Sequence, residues 1–564
     1  MKKTKEKIFI GVAWPYVNGE MHIGHLAGYL LPADIVARYF RQKGHKVLMV
    51  SGSDCFGTPV LFEAIKKKTS PSSLVRIYHR KLKELFRLLG ISFDLYTKTN
   101  NPLHKKITQD FFIKIYKKGY IQRKTVQQYY SQKDKMFLPG RFVEGTCKYC
   151  GYQEARSDQC DHCGRILEPG ELKNPRNRLT NSPVILKKTE HYFLNWSKLE
   201  NFLKKYVKSK SRYWRKWVAA ETQGWLKTGL LSRSITRDIK WGIKIPVKDI
   251  PRREWIKNWN KKSIYVWFEA VIGYFSASVK YFKGKNGWKD FWLKKSARHY
   301  YFMGKDNLLF HTLFWPGQLH LYDPKLHLPD IVCVNQYLNL EGKKFSKSRG
   351  VIINCDYLAR KYGIDETRFY LCWIMPETKD SSFSWEDFAE QVNSILVGKI
   401  GNLAHRTLVL AKKKSYKSST GLKIDKQIIK KTKRVFRKIN EDIPKCKFRD
   451  YLREVVSLAE YGNRYFDKKK LWAIENKEEF NKITSNLLYL ISAIRVFLLP
   501  LLPSASEKLR KTLGIKEIEN LDDFDSFHKY LLNSLEKIKI KKSTPLFRKI
   551  SKEQIKSEKN EKAI

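Results

Sequence analysis

Two short polar signatures, His22-Ile23-Gly24-His25 and Lys344-Phe345-Ser346-Lys347-Ser348, stand about 320 residues apart in a chain of 564. The first follows an apolar run, Ile8 to Ala13, and opens a segment with helical periodicity, Leu26 to Lys43. The second lies in a polar loop with Gly342 and Gly350 as hinges. Groups that far apart act together only if the chain folds them around a common ligand. Residues 8–60 read as strand, Gly-containing loop, helix, turn at Gly44 and strand (Lys46 to Ser51), the βαβ opening of a doubly wound, Rossmann-like parallel sheet.

The pattern continues with amphipathic helices from Ser73 to Leu89 and Leu103 to Lys118, which close the first half of a nucleotide-binding domain, 1–118. Residues 119–241 read as an inserted domain of short strands. The α/β pattern is expected to resume at Lys262 to Trp267, giving a second half over 242–334. A region carrying the Lys-Ser loop follows at 335–385. From 386 to 547 Pro and Gly thin out and helical periodicity predicts an all-α bundle, broken by a basic linker at Lys412 to Ser419. The Lys/Glu-rich end, 548–564, is expected to be a frayed tail. The apolar run Leu487 to Leu502 contains Arg495 and Pro500 and is short of the roughly 20 residues needed to span a bilayer, so it reads as a buried helix.

Inside the insertion, Cys147-x2-Cys150 and Cys160-x2-Cys163 form two thiol pairs, with Gly151 and Gly164 following to make tight turns. Four sulfurs satisfy tetrahedral Zn²⁺ and close its coordination, which marks a structural site over 147–163 and not a catalytic one. His162 reads as a spare imidazole. Cysteines used this way imply a reducing, cytoplasmic setting. The net charge of +56, from 111 basic and 55 acidic residues, favours a polyanionic partner.

The His motif lies where a βα loop meets a helix N-terminus, a place that favours anionic oxygens. Gly24 lets a nucleotide approach the backbone, and His22 and His25 can both donate to phosphate oxygens as charge gathers. Lys344 and Lys347 supply cations, Lys347 as a mobile point charge able to follow departing pyrophosphate, while Ser346 and Ser348 hold the loop. The P-loop and Gly-x-Gly-x-x-Gly patterns are missing, so P-loop NTPase and dinucleotide readings lose their support.

The two signatures together resemble those of the class I aminoacyl-tRNA synthetases. Further runs resemble the methionyl-tRNA synthetases: Ala13-Trp14-Pro15-Tyr16-Val17-Asn18-Gly19, Gly52-Ser53-Asp54-Cys55-Phe56-Gly57, Tyr265 to Tyr274, and Gly304 to Pro316. The resemblance implies ATP with Mg²⁺, L-methionine and a methionine-accepting tRNA as partners, and a monomer. It implies a methionine pocket of Tyr16, Trp267, Ala270, Tyr274, Phe310, His311 and Trp315, with Asp54 on the α-ammonium. Aromatic edges suit a polarisable thioether, and Tyr274 and His311 are candidates to hydrogen-bond its sulfur. Trp14 and Val271 depart from the family's Leu and Pro. In the bundle, Asn402 and Arg406, one helical turn apart, and Trp472 resemble an anticodon site in which polar groups read base edges and an indole stacks. Seventeen residues follow Phe547, so the C-terminal RNA-binding module of some members is expected to be absent. The rival readings are a leucine, isoleucine or valine enzyme, for which the insertion is too short to hold an editing domain; a cysteine-activating ligase; and a non-catalytic zinc-ribbon RNA-binding protein.

Overall fold

The computed structural model describes residues 5–560 apart from 139, 158–159, 161, 164, 166, 345–351, 420, 519–520 and 542–543, and the side chains of 141, 343, 344 and 560. Five parallel strands form the catalytic-type sheet in the order Ile331–Asn335, Ala297–Gly304, Lys7–Val12, Lys46–Ser53, Leu95–Lys98. Ile8, Phe9 and Ile10 are wholly buried, as a central strand covered on both faces requires. The chain builds outward from Lys7–Val12 on one side, then returns to the other. The order therefore reverses at the carboxyl end of this first strand, the place where open α/β sheets bind ligands. The His motif follows that end.

The insertion builds two small sheets. One pairs Arg233–Ser234, Ile185–Leu194, Ile121–Ser131 and Met136–Phe137; the other pairs Ala155–Arg156, Val143–Cys147 and Leu172–Asn177. The second has a separate core, with Phe142, Val143, Leu167 and Leu172 packed around Cys147 and Cys160. After the insertion, the expected return of the α/β pattern at 262–267 is delayed. Only Ser263–Ile264 is strand, paired antiparallel to Thr236–Arg237, and Val266–Glu269 is already helix. The parallel sheet resumes at Ala297. Tyr265 to Trp267 thus trade strand pairing for a turn into the cleft.

The carboxyl-terminal half is helical, including Asn402–Lys413, Lys426–Asp442, Phe448–Lys468, Lys477–Leu498, Pro503–Leu513 and Phe524–Glu536. The break between the first two, 414–425, takes in the basic linker from 414 on, while Lys412 and Lys413 still belong to the helix. Leu487 to Leu498 lie in a helix buried on every side. Among the described residues no helix is long and apolar enough to cross a membrane. The expected fraying of the charged end is not found at residues 552–560, while 561–564 lie outside the described residues. Lys552–Asn560 is a helix whose Glu558 accepts from Tyr357 (2.8 Å) and Tyr362 (2.7 Å) and pairs with Lys361. A buried carboxylate with three partners overrides the tail's polar composition.

Sheet and bundle are tied by Arg368, which is fully buried. Its guanidinium donates to Asp34 Oδ2 (2.7 Å), to the Leu89 carbonyl (3.1 Å), and to the Leu501 carbonyl in the bundle (2.6 Å). Burial pushes the Asp34 carboxyl up, but Arg368, Arg38 and Ser92 outweigh it and hold it below its ordinary value. Arg368→Met leaves a buried carboxylate and several carbonyls short of donors, so unfolding stability falls by about 3–5 kcal/mol, measured by denaturant titration. The contribution of Asp34 is complete above about pH 4 and lost as pH falls through its depressed folded value. Asp34→Asn therefore flattens the acid limb of stability; an unaltered limb contradicts the clamp.

Candidate active site and tRNA-facing surface

A cleft of about 2140 Å³ opens at the carboxyl edge of the parallel sheet and runs under the insertion. His22, Gly24 and His25 line it. His22 caps the helical run from 23 to 42: the Gly24 N–H donates to His22 Nδ1 (3.2 Å), and the His22 N–H donates to His25 Nδ1 (3.4 Å). An imidazole whose Nδ1 accepts carries its neutral-form proton on Nε2, so the cap sets the His22 ring as an Nε2–H donor, while His25 Nδ1 lies between the His22 N–H and the His22 carbonyl (3.3 Å). The rings lie 4.0 Å apart by centroid, close enough to serve one anionic group.

The backbone joins the two signatures. Ile23 N–H donates to the Ile353 carbonyl (3.0 Å), Cys355 N–H donates to Met21 (3.1 Å), and His22 pairs with Asn354. On the other side, Lys343–Lys344 pairs with Leu338–Leu340, whose Leu338 and Asn339 line the cleft. Both flanks of the Lys-Ser loop are thus held beside the His motif. Ser346, Lys347, Ser348 and Gly350 lie outside the described residues, as does the side chain of Lys344; Gly342 takes φ +80°.

Tyr16, Asp54, Trp267, Ala270, Tyr274, Phe310 and His311 also line the cleft, with Trp14 and Val271. Trp267 stacks on Phe310 (4.2 Å) and meets Tyr16 edge-on. Trp315 does not reach the cleft wall. It is buried behind Tyr274, where its indole N–H donates to Tyr301 (3.0 Å), because Tyr274 stands between it and the opening. Trp14 occupies space left by two glycines: a Cβ at Gly52 would lie 2.2 Å from the indole, and one at Gly273 2.6 Å.

His311 Nδ1 is 2.8 Å from the Asn307 carbonyl, which can only accept, so that nitrogen carries the proton. Its Nε2 then accepts from the Tyr274 hydroxyl (2.8 Å). Burial holds His311 neutral, down to about 4, and pushes the Tyr274 phenol well above its ordinary value. Both protons are therefore committed to protein acceptors and neither is directed at a third. Asp54 is buried, and that burial raises its carboxyl well above the usual range.

Sequence reasoning missed several residues of the wall and of the layer behind it. Arg237 lies 3.7 Å over the Tyr265 ring and lines the cleft; Asn307 fixes the His311 tautomer; His104 and Glu269 sit behind Asp54. A lone arginine or histidine has no spacing signal. One signal was physical: wide π-type turns occur at Leu26–Leu30 after the His motif, at Phe310–Phe314 carrying His311, and at Val392–Gly401 before Asn402. Such turns concentrate at functional sites.

In the insertion, the sulfurs of Cys147, Cys150, Cys160 and Cys163 lie within 4.8 Å of one another, with Cys150 and Cys160 at 3.6 Å. Tetrahedral Zn²⁺ with bonds of about 2.3 Å places sulfurs about 3.8 Å apart, so the donor set fits that ion. His162 stacks on Tyr152 instead of joining the thiols.

A family model described as "tRNA synthetases class I (M)" matches residues 8–408, and one for the anticodon binding domain of methionyl tRNA ligase matches 417–562. The chain belongs to the methionyl-tRNA synthetase family. Curated relatives include the methionine–tRNA ligase of Roseiflexus castenholzii, 41% identical over 523 residues (90% of this chain, 87% of that one), and that of Thermococcus kodakarensis, 39% identical over 562 residues (96% and 73%). In fold, the chain is similar to Mycobacterium tuberculosis methionyl-tRNA synthetase in complex with methionyl-adenylate, with a TM-score of 0.76 at 20% identity, covering 96% of this chain and 99% of that one.

The anticodon-domain match covers the bundle from residue 417, and a shallow hollow there is lined by Asn463, Arg464 and Asp467 together with Asn402 and Arg406, which lie inside the 8–408 match. Arg406 pairs with Asp467 (2.8 Å) and lies over Phe466, on which Trp472 stacks; the Trp472 side chain is 48% exposed. A half-exposed indole beside Phe466 and Arg406 offers ring surface on which a base can stack.

Tyr274→Phe removes the donor to His311 Nε2 and orphans a buried acceptor. It should cost about 1–3 kcal/mol of stability, read from denaturant midpoints; a change under about 0.5 kcal/mol means that the ring has turned to another donor.

Proposed function

We propose that the chain is a methionine–tRNA ligase, and that one cleft performs both half-reactions. In the first, a methionine carboxylate oxygen attacks the α-phosphorus of ATP; the bond to pyrophosphate breaks and methionyl-adenylate forms. His22 and His25 donate to the oxygens that gain charge, Lys347 follows the pyrophosphate, and Lys344 and the Ser346 and Ser348 hydroxyls support it. Mg²⁺ enters with ATP. In the second, a hydroxyl of the tRNA's terminal adenosine attacks the methionyl carbonyl and AMP leaves. No protein nucleophile is needed; positioning and electrostatics suffice.

The observation that carries this reading is the backbone bond from Ile23 to Ile353. It fastens the far flank of the Lys-Ser loop to the His motif at the mouth of an aromatic cleft. Asp54 holds the methionine ammonium, and Tyr16, Trp267, Ala270, Tyr274 and Phe310 enclose the side chain, with His311 bracing Tyr274 and Trp315 backing it. Thioether sulfur packs well on such ring edges. Asn402, Arg406 and Trp472 bind the anticodon. One structural Zn²⁺ on Cys147, Cys150, Cys160 and Cys163 supports the insertion, and reduced thiols fit a cytoplasmic enzyme. The protein acts as a monomer.

Two variants separate the halves. Lys347→Ala lowers methionine-dependent ATP–pyrophosphate exchange by about 10²–10³-fold with little change in methionine affinity; unchanged exchange removes Lys347 from the mechanism. Trp472→Ala spares exchange but weakens tRNA charging by about tenfold or more, as loss of one base stack does; equal losses in both assays contradict the anticodon role.

A further inference from the structure

Behind the cleft wall, His104, Glu269 and Ser276 form a closed chain of short contacts, with His104 and Glu269 wholly excluded from water. The Ser276 hydroxyl donates to the Gly273 carbonyl (3.2 Å), so its oxygen must accept from His104 Nδ1, 2.8 Å away. An imidazole with its neutral-form proton on Nδ1 offers only a lone pair at Nε2. That lone pair faces Glu269 Oε2 at 2.7 Å. Two acceptors do not hold that distance, so a proton lies between them.

The other carboxyl oxygen, Glu269 Oε1, is buried with no hydrogen-bond partner among the described residues. A carboxylate left half unsolvated in such a place is costly, whereas the carbonyl oxygen of a carboxylic acid is far less so. Burial also pushes His104 down to about 3, with Lys105 adding to the effect, and Glu269 well up. The other titratable groups bearing on the pair are Asp54 and the buried Cys55, whose thiol burial pushes up to about 12.

We propose that Glu269 is kept as an un-ionised carboxylic acid donating its O–H to His104 Nε2, so that Asp54 does not share the ammonium end of the pocket with a second anion. Glu269 and His104 are then positioning residues. Two ionised carboxylates side by side in a dry site would force one to take up a proton; here the proton is stored in advance on the residue that does not face the cleft. The inference rests on the reading of Asp54 as the ammonium partner.

The test uses wild-type protein and Glu269→Gln, whose amide can still donate to His104. The infrared difference spectrum, wild type minus variant at neutral pH, should contain the carbonyl stretch of an un-ionised carboxylic acid; only carboxylate bands overturn the proposal. The KM for methionine in pyrophosphate exchange should be flat above the Asp54 pKa until the methionine ammonium itself titrates, and rise about tenfold per unit as pH falls through the Asp54 pKa. The midpoint should coincide in wild type and variant. A midpoint displaced by a unit or more toward acid in the variant means that Glu269 was charged beside Asp54, and overturns it. Should Glu269→Gln fail to fold, ¹⁵N-histidine spectra of wild type against His104→Gln decide. A neutral Nδ1–H ring supports the proposal; an imidazolium or an Nε2–H ring ends it. Asp54→Asn with unaltered methionine KM would defeat the Asp54 reading while leaving the spectroscopic result to stand or fall alone.

Discussion

A guanidinium without access to water must find all its acceptors inside the protein, and Arg368 finds them on three different parts of the chain. Asp34 belongs to the helix that the His motif opens, Leu89 closes a crossover helix, and Leu501 lies in the bundle. Removing any of these partners strands a buried charge, so the three segments keep one relative position. Arg368 itself lies on Ile364–Trp373, a helix following the Lys-Ser region. The clamp thereby holds the helix opened by the His motif, the helix that follows the Lys-Ser region and the bundle in one arrangement.

Within that frame the cleft works by subtraction. Protons that could have been offered to ligands are already placed: His311's on Asn307 and Tyr274's on His311, while His22 Nδ1 is taken up by the helix cap. What remains for a ligand is specific. Imidazoles at the head of a helix, a buried carboxylate and aromatic ring surface line the cleft. Preorganisation of this kind lowers the reorganisation demanded when charge moves.

Much of this was legible in the residues. The strand–loop–helix opening, the linker near residue 412, the thiol pairs and the helical placement of Asn402 and Arg406 follow from periodicity, spacing and turn chemistry, which are local. What escaped was non-local. Trp315 reads as pocket wall because it shares a motif with His311, yet Tyr274 screens it. The charged end reads as frayed because its composition is polar, yet one carboxylate, Glu558, meets two tyrosines and a lysine from a helix about 200 residues earlier. Arg368, His104 and Glu269 lie in no recognisable pattern; their roles exist only once distant segments meet.

The central claim is that two signatures converge on one ATP beside a cage sized for a thioether side chain. Pyrophosphate exchange on the purified wild-type protein, run in parallel with methionine, leucine and cysteine, tests it most directly. Exchange with methionine and only background with the other two is the expected result. Exchange driven by leucine or cysteine, or none with methionine while ATP still binds, would contradict it.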